Sequence, residues 1–293
     1  MKLIPLTFFN LSIQCIVVFG IDIKDIQNLV IFGDSYSDTG NLLNVTFQTY
    51  FPQGYVNGHF SNGLLWPEYT KNRTEWDIEN YSFAGATVSN LDEISEVAFL
   101  GVPVPSIEQQ IEAHKQRLLY NPNQFDSKDT LYVVAAAGND YNWDRTPDPL
   151  RILELLEKAT MPLFQPPINA KQVIFWNVGL EKLPRDRLTP WKYKLSLFQR
   201  KLHNKGLNEM VERYQSSNVD LKLKVFDQDM VLTNAVNDPS FTNRFEPCIR
   251  KSANGYISIC HYPEKSVFWD DIHLTTPIHR KLTDEFLKTV KSL

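Results

Sequence analysis

The sequence predicts an α/β domain whose mainly parallel central sheet is covered by helices on both faces. Two observations carry that expectation. Short apolar runs of strand length alternate along the chain with longer amphipathic stretches, the pattern of successive βαβ units. The first two apolar runs also break off into polar residues, and in such sheets ligands meet the carboxyl ends of the strands.

Leu29-Val30-Ile31-Phe32 is the first strand and ends in Gly33-Asp34-Ser35. Leu131 to Ala135 is the second and leads into Gly138-Asn139-Asp140; Val173 to Trp176 is the third. Leu221 to Phe226 alternates apolar and polar residues, which suits an edge strand. Ser106 and Gln109 make a capping box for a helix with Ile107, Ile111 and Leu118 on one face. Asp148-Pro149 caps the next, with Ile152, Leu153, Leu155 and Leu156 apolar. Leu195, Phe198, Leu202, Met210 and Val211 stripe a long third helix, and Ile278, Leu282, Phe286 and Val290 the last. Every one of these helices is needed to cover the sheet, so none is expected to serve as an apolar lid.

The 293 residues are 43% hydrophobic and 22% charged, which excludes disorder and fibrous repeats. Lys and Arg number 30 against 34 Asp and Glu, and no basic block exists, so nucleic acid is not an expected partner. Without internal repeats or a Gly/Ser linker, one domain is expected over 21–293. Ahead of it, Met1-Lys2 and the apolar run Leu3–Gly20 read as a signal peptide. Thr7, Asn10, Ser12 and Gln14 make that run a poor membrane span, so a secreted product with no stable membrane insertion is expected. Cys15 leaves with that segment, and Cys248 and Cys260 are expected to pair as a disulfide. Asn44, Asn72 and Asn80 head sequons for glycosylation.

Ser35 lies just past an apolar strand beside Gly33, open to approach, but a serine hydroxyl needs a base. Asp270-Asp271-Ile272-His273 supplies a candidate pair: the Asp270 carboxylate reaches imidazole Nδ1, leaving Nε2 to face the serine. Gly85 offers an amide with no Cβ in the way, and Asn139 a side-chain amide, for a developing oxyanion. Trp66, Trp143 and Trp269, with Ser61, Asn62, Asp140 and Tyr141, border the expected cleft. Their rings suit stacking on sugar faces, and equally a packed core.

Four segments in the order Ser, Gly, Asn and Asp-x-x-His resemble the blocks of the SGNH (GDSL) hydrolase superfamily. Gly33-Asp34-Ser35 is the namesake block, extended by Asp38, Gly40 and Asn41. Gly58 to Gly63 with Trp66, Asn177 to Pro184, and Phe268 to Thr275 resemble further segments of fungal and plant-type members. Among subfamilies the chain is most similar to secreted acetylesterases of carbohydrate esterase family 16. The resemblance implies a flavodoxin-like three-layer α/β/α sandwich and a serine esterase needing no cofactor or metal. It implies Ser35 as nucleophile, His273 as base and Asp270 as its orienting acid. The Ser35 and Gly85 amides and the Asn139 side chain would form the oxyanion hole. The implied substrate is a short-chain acyl ester, an O-acetylated carbohydrate first. A lipase or phospholipase, or a non-catalytic carbohydrate-binding protein on the same fold, are the alternatives. Two positions depart from the blocks: Ala137 replaces a glycine, and Leu274 replaces the proline after the histidine. There is no G-x-S-x-G, P-loop, G-x-G-x-x-G or H-E-x-x-H motif.

Overall fold

The computed structural model describes residues 23–46, 53–91, 96–97, 101–121, 126–141, 148–179, 184, 190–252 and 254–293. The expected signal peptide and Trp143 lie outside the described residues. Among these, the strands are β1 (Asn28–Gly33), β2 (Asp77–Asn80), β3 (Glu96–Val97), β4 (Val102–Pro103), β5 (Thr130–Ala135), β6 (Gln172–Trp176), β7 (Lys222–Phe226), β8 (Ile249–Lys251) and β9 (Ile257–Ile259). The α-helices are α1 (Asn41–Val45), α2 (Trp66–Lys71), α3 (Ile107–Tyr120), α4 (Pro149–Thr160), α5 (Pro190–Ser217), α6 (Gln228–Asn237) and α7 (Thr276–Lys291).

Five strands form the central sheet in the order β2-β1-β5-β6-β7, every pair parallel. That is the flavodoxin-like order, with the topological switch point between β1 and β5. The pleat divides each strand between two faces. Leu29 and Ile31 of β1 pack with Trp66 of α2, Leu232 of α6 and Phe286 of α7. Val30 and Phe32 pack with Ile111 of α3, Leu156 of α4 and Leu207 of α5. These two clusters give the three layers, and burying Phe286 completely makes its truncation to Ala worth about 3–5 kcal/mol. The capping box of α3 and the Asp148 cap of α4 form as the sequence requires.

Two elements differ from expectation. Strand β2 was not read from sequence: Asp77-Ile78-Glu79-Asn80 has no apolar alternation, and it sits at a sheet edge with partly exposed residues. Helix α5 forms, but of the expected stripe only Met210 and Val211 are buried, with Leu207 beside them. Leu195, Phe198 and Leu202 are 43%, 60% and 39% exposed, while Arg200 and His203 turn inward. Facing explains this: at about 100° per residue Leu195, Phe198 and Leu202 lie on a different side of the helix from Arg200, His203 and Leu207, which turn inward. No helix among the described residues is long and apolar enough to cross a membrane.

Candidate active site

The nucleophile is placed by the end of β1. A Cβ on Gly33 would stand 2.8 Å from Ser82 Oγ and 3.0 Å from Ser37 Oγ, so only glycine lets the chain turn here. The side chain of Gln110, from α3, clamps this residue, accepting from Gly33 N at 2.9 Å and donating to Gly33 O at 3.0 Å. Beyond it, Ser37 N and Asp38 N both donate to Asp34 O at 2.9 Å, closing a tight turn around Ser35. The buried Asp38 carboxylate accepts from Gly40 N, Asn41 N, Leu42 N and Ala84 N. It therefore ties the nucleophile turn to the segment that carries Gly85.

The base comes from the loop before α7. His273 Nε2 lies 2.9 Å from Ser35 Oγ, and His273 Nδ1 lies 2.7 Å from Asp270 Oδ2. Asp270 Oδ1 accepts from Ile272 N at 2.8 Å and His273 N at 2.7 Å, and the Tyr55 hydroxyl donates to Oδ2 at 2.6 Å. Burial alone pushes the Asp270 carboxyl up, but the adjacent His273 ring and these donors outweigh it and hold it down at about 2. The carboxylate is thus ionised across the neutral range. It orients the imidazole with Nδ1–H toward itself and Nε2 toward the serine. Phe60 packs on the His273 ring with centroids 4.8 Å apart. Asp34, next to the nucleophile, has its carboxyl raised to about 6 by burial.

At the nucleophile, the amides of Ser35 and Gly85 have no acceptor among the described residues. Four amides beside them are committed. Tyr36 N donates to Asp34 Oδ1, Phe83 N to Gly33 O, Ala84 N to Asp38 Oδ2 and Ala86 N to Phe83 O. Gly85 has φ 86°, a conformation that leaves its N–H outside the turn's own bonding and disfavours a side chain. Asn139 Nδ2 donates to Ala86 O at 2.8 Å, which seats Asn139 against this turn on the wall of the pocket that holds Ser35 and His273. The structure therefore brings together Ser35, Asp270, His273, Gly85 and Asn139. The pocket encloses about 70 Å³ and is also walled by Ala136, Tyr141, Trp176, Val178 and Arg200.

Other expected residues fall elsewhere. Trp66 is fully buried, donates from Nε1 to Ser37 Oγ and packs on Trp176, so it is core and not a substrate platform. Trp269 is 2% exposed, packed edge-on against Tyr55 beneath the Cys248–Cys260 bridge, and cannot stack on a ligand. Ser61 and Asn62 are spent on the loop before α7, bonding Leu274 O and Thr276 N. Asn80 Nδ2 donates to Ser37 O at 2.7 Å and Thr39 Oγ1 at 3.0 Å, so in the folded chain this side chain braces the nucleophile segment. Asn44 and Asn72 are exposed. The Cys248–Cys260 disulfide is present, with Cα atoms 4.8 Å apart. Sequence reasoning missed Tyr55, which nothing in its neighbourhood marks, and Arg200, hidden inside a helical stripe.

The chain is similar to several known proteins. The thermolabile hemolysin of Vibrio parahaemolyticus serotype O3:K6 (strain RIMD 2210633) is 29% identical over 294 residues, 92% of this chain; the chain spans 65% of that relative's length. An acetylesterase of Hypocrea jecorina is 31% identical over 129 residues, covering 41% of this chain and 36% of that one. A carbohydrate acetylesterase from Sinorhizobium meliloti has the same fold at a TM-score of 0.52 and 14% identity, covering 90% of this chain and 98% of that one. The model of one family, GDSL-like Lipase/Acylhydrolase, matches residues 29–286, from the first core strand through the last helix, and the chain belongs to that family.

Proposed function

We propose that this protein hydrolyses short-chain acyl esters through an acyl-Ser35 intermediate. The carrying observation is the unbroken chain Tyr55–Asp270–His273–Ser35, at 2.6, 2.7 and 2.9 Å, beside two amides without acceptors. His273 Nε2 takes the Ser35 proton as Oγ attacks the ester carbonyl. The carbonyl oxygen, now anionic, is met by the Ser35 and Gly85 amides and the Asn139 side chain. The imidazolium returns the proton to the leaving alkoxide, and the same base then activates water against the acyl-serine.

The size of the pocket supports a short acyl group. About 70 Å³ is room for a handful of waters or a short acyl group, and an acetylesterase is among the relatives. With Trp66 and Trp269 in the core, a carbohydrate alcohol now rests on those relatives alone. A lipid-borne ester is the second reading, favoured by the exposed apolar face of α5. Secretion belongs to the same proposal, supported by the apolar run at residues 3–20 and the disulfide. The test is a panel of p-nitrophenyl esters. A kcat/KM that is highest for acetate and declines toward decanoate is expected; a steady climb to decanoate overturns the short-chain reading.

A further inference from the structure

The N-terminal half of α5 has two faces with different tasks. Its inner face turns Ser196 and the buried Arg200 into the catalytic pocket. Its outer face carries Leu195, Phe198 and Leu202 at helical spacing, all exposed. Exposed Lys194, Lys201 and Lys205 flank that stripe. From 190 to 208 the chain has five Lys and Arg and no Asp or Glu, in a protein of net charge −4. Helix α4 runs alongside in the same direction, with Leu153 against Gly206 and Glu157 paired to Arg213. One turn before Leu153, Leu150 is 71% exposed.

We infer that this face of α5 docks the enzyme onto an anionic lipid surface. The physical pattern is that of an interfacial helix. Leu and Phe side chains enter the boundary between headgroups and acyl chains, and lysines on the flanks meet anionic headgroups. A soluble acidic peptide satisfies the lysines but leaves the protruding Phe198 and Leu195 without a hydrophobic partner. Surfaces of this kind are uncommon on monomers without a use. The inference goes beyond the acyl-length reading, because docking needs no turnover.

The test separates the two. The Ser35→Ala variant, which binds but does not turn over, is sedimented with phosphatidylcholine vesicles with and without phosphatidylglycerol. Binding to the anionic vesicles is expected, falling as salt rises. In that background, Lys194→Gln with Lys201→Gln is expected to weaken it about tenfold. Leu195→Ser with Phe198→Ser is expected to abolish it. In the Ser35 enzyme the same four substitutions leave p-nitrophenyl acetate turnover unchanged, which shows the fold and pocket intact. Equal binding by the Ser substitutions, or no preference for the anionic vesicles, overturns the inference. So does self-association without vesicles that the Phe198→Ser change removes, which assigns the face to a second copy of the chain.

Discussion

Ser35 and His273 meet at one point but are held there by different means. The nucleophile stands at the end of β1, a central strand paired on both sides and buried on both faces. Its position is set by core packing and by the Gln110 clamp at Gly33. The base stands on a loop that belongs to no strand of the central sheet. It is fixed by backbone bonds from Cys248 N to Phe268 O and Ile249 N to Trp269 O, by the disulfide behind them, and by Tyr55 from a third segment. One half of the site is thus specified by the hydrophobic core and the other by cross-links. The two halves should therefore fail separately.

The largest effect comes from the nucleophile itself. Ser35→Ala removes a pocket-lining hydroxyl from a turn held by other bonds, so the fold is retained and thermal unfolding is unchanged. Turnover falls by about 10⁶, leaving about 10³ over water from binding and the oxyanion hole. Folded variant protein within tenfold of the parent rate removes Ser35 from the mechanism.

The second test breaks the base arm alone. Replacing Cys248 and Cys260 with alanine opens a loop of sequence separation 12 and costs about 3 kcal/mol in the chain-entropy model. Hydrogen exchange should quicken at residues 266–275 while β1 stays protected. Uniform loosening of both regions denies the contrast.

Asp34 sharpens the comparison on the nucleophile side through pH. Its carboxyl is raised to about 6 against an ordinary 3.8, so between those values the folded state holds more protons than the unfolded one. Stability contributed by Asp34 therefore falls as pH rises through that window, by about 3 kcal/mol. Asp34→Asn keeps an oxygen for Tyr36 N and removes the charge. Urea unfolding of parent and variant should converge at pH 4 and separate by pH 7, with the variant the more stable. Parallel curves across that range discount the buried charge.

The smallest effect is expected at Ala137, a fully buried residue at φ 73° just before Asn139. A Cβ in that region is strained, so Ala137→Gly gains at most about 1 kcal/mol after its own entropy cost. A loss of stability there means that the buried methyl outweighs the strain.

Legibility in the sequence followed the same division. Four of the five central strands were visible because apolar runs of that length have few other uses, and β2 was not because an edge strand can be polar. The triad was visible because Ser35 and the Asp270-x-x-His273 pair are sequence-local blocks. Tyr55 was invisible because its role depends on a fold contact 215 residues away. The stripe expected on α5 is not one face: Leu195, Phe198 and Leu202 lie nearly opposite Val211 around the helix, and only the side that carries Val211 packs inward. Tryptophans were placed at the cleft by neighbourhood alone, and Trp66 and Trp269 turned inward because large aromatic rings bury the most area.

Ser35 and His273 are 238 residues apart in the chain and 2.9 Å apart in space. A polypeptide emerging from the ribosome exposes its first strand long before its imidazole. The site is incomplete until both have folded together. In refolding, the recovery of activity should lag the recovery of sheet structure, because the catalytic hydrogen bond is among the longest-range contacts to close. Catalysis is in this sense a readout of completed folding, and a more stringent one than secondary structure.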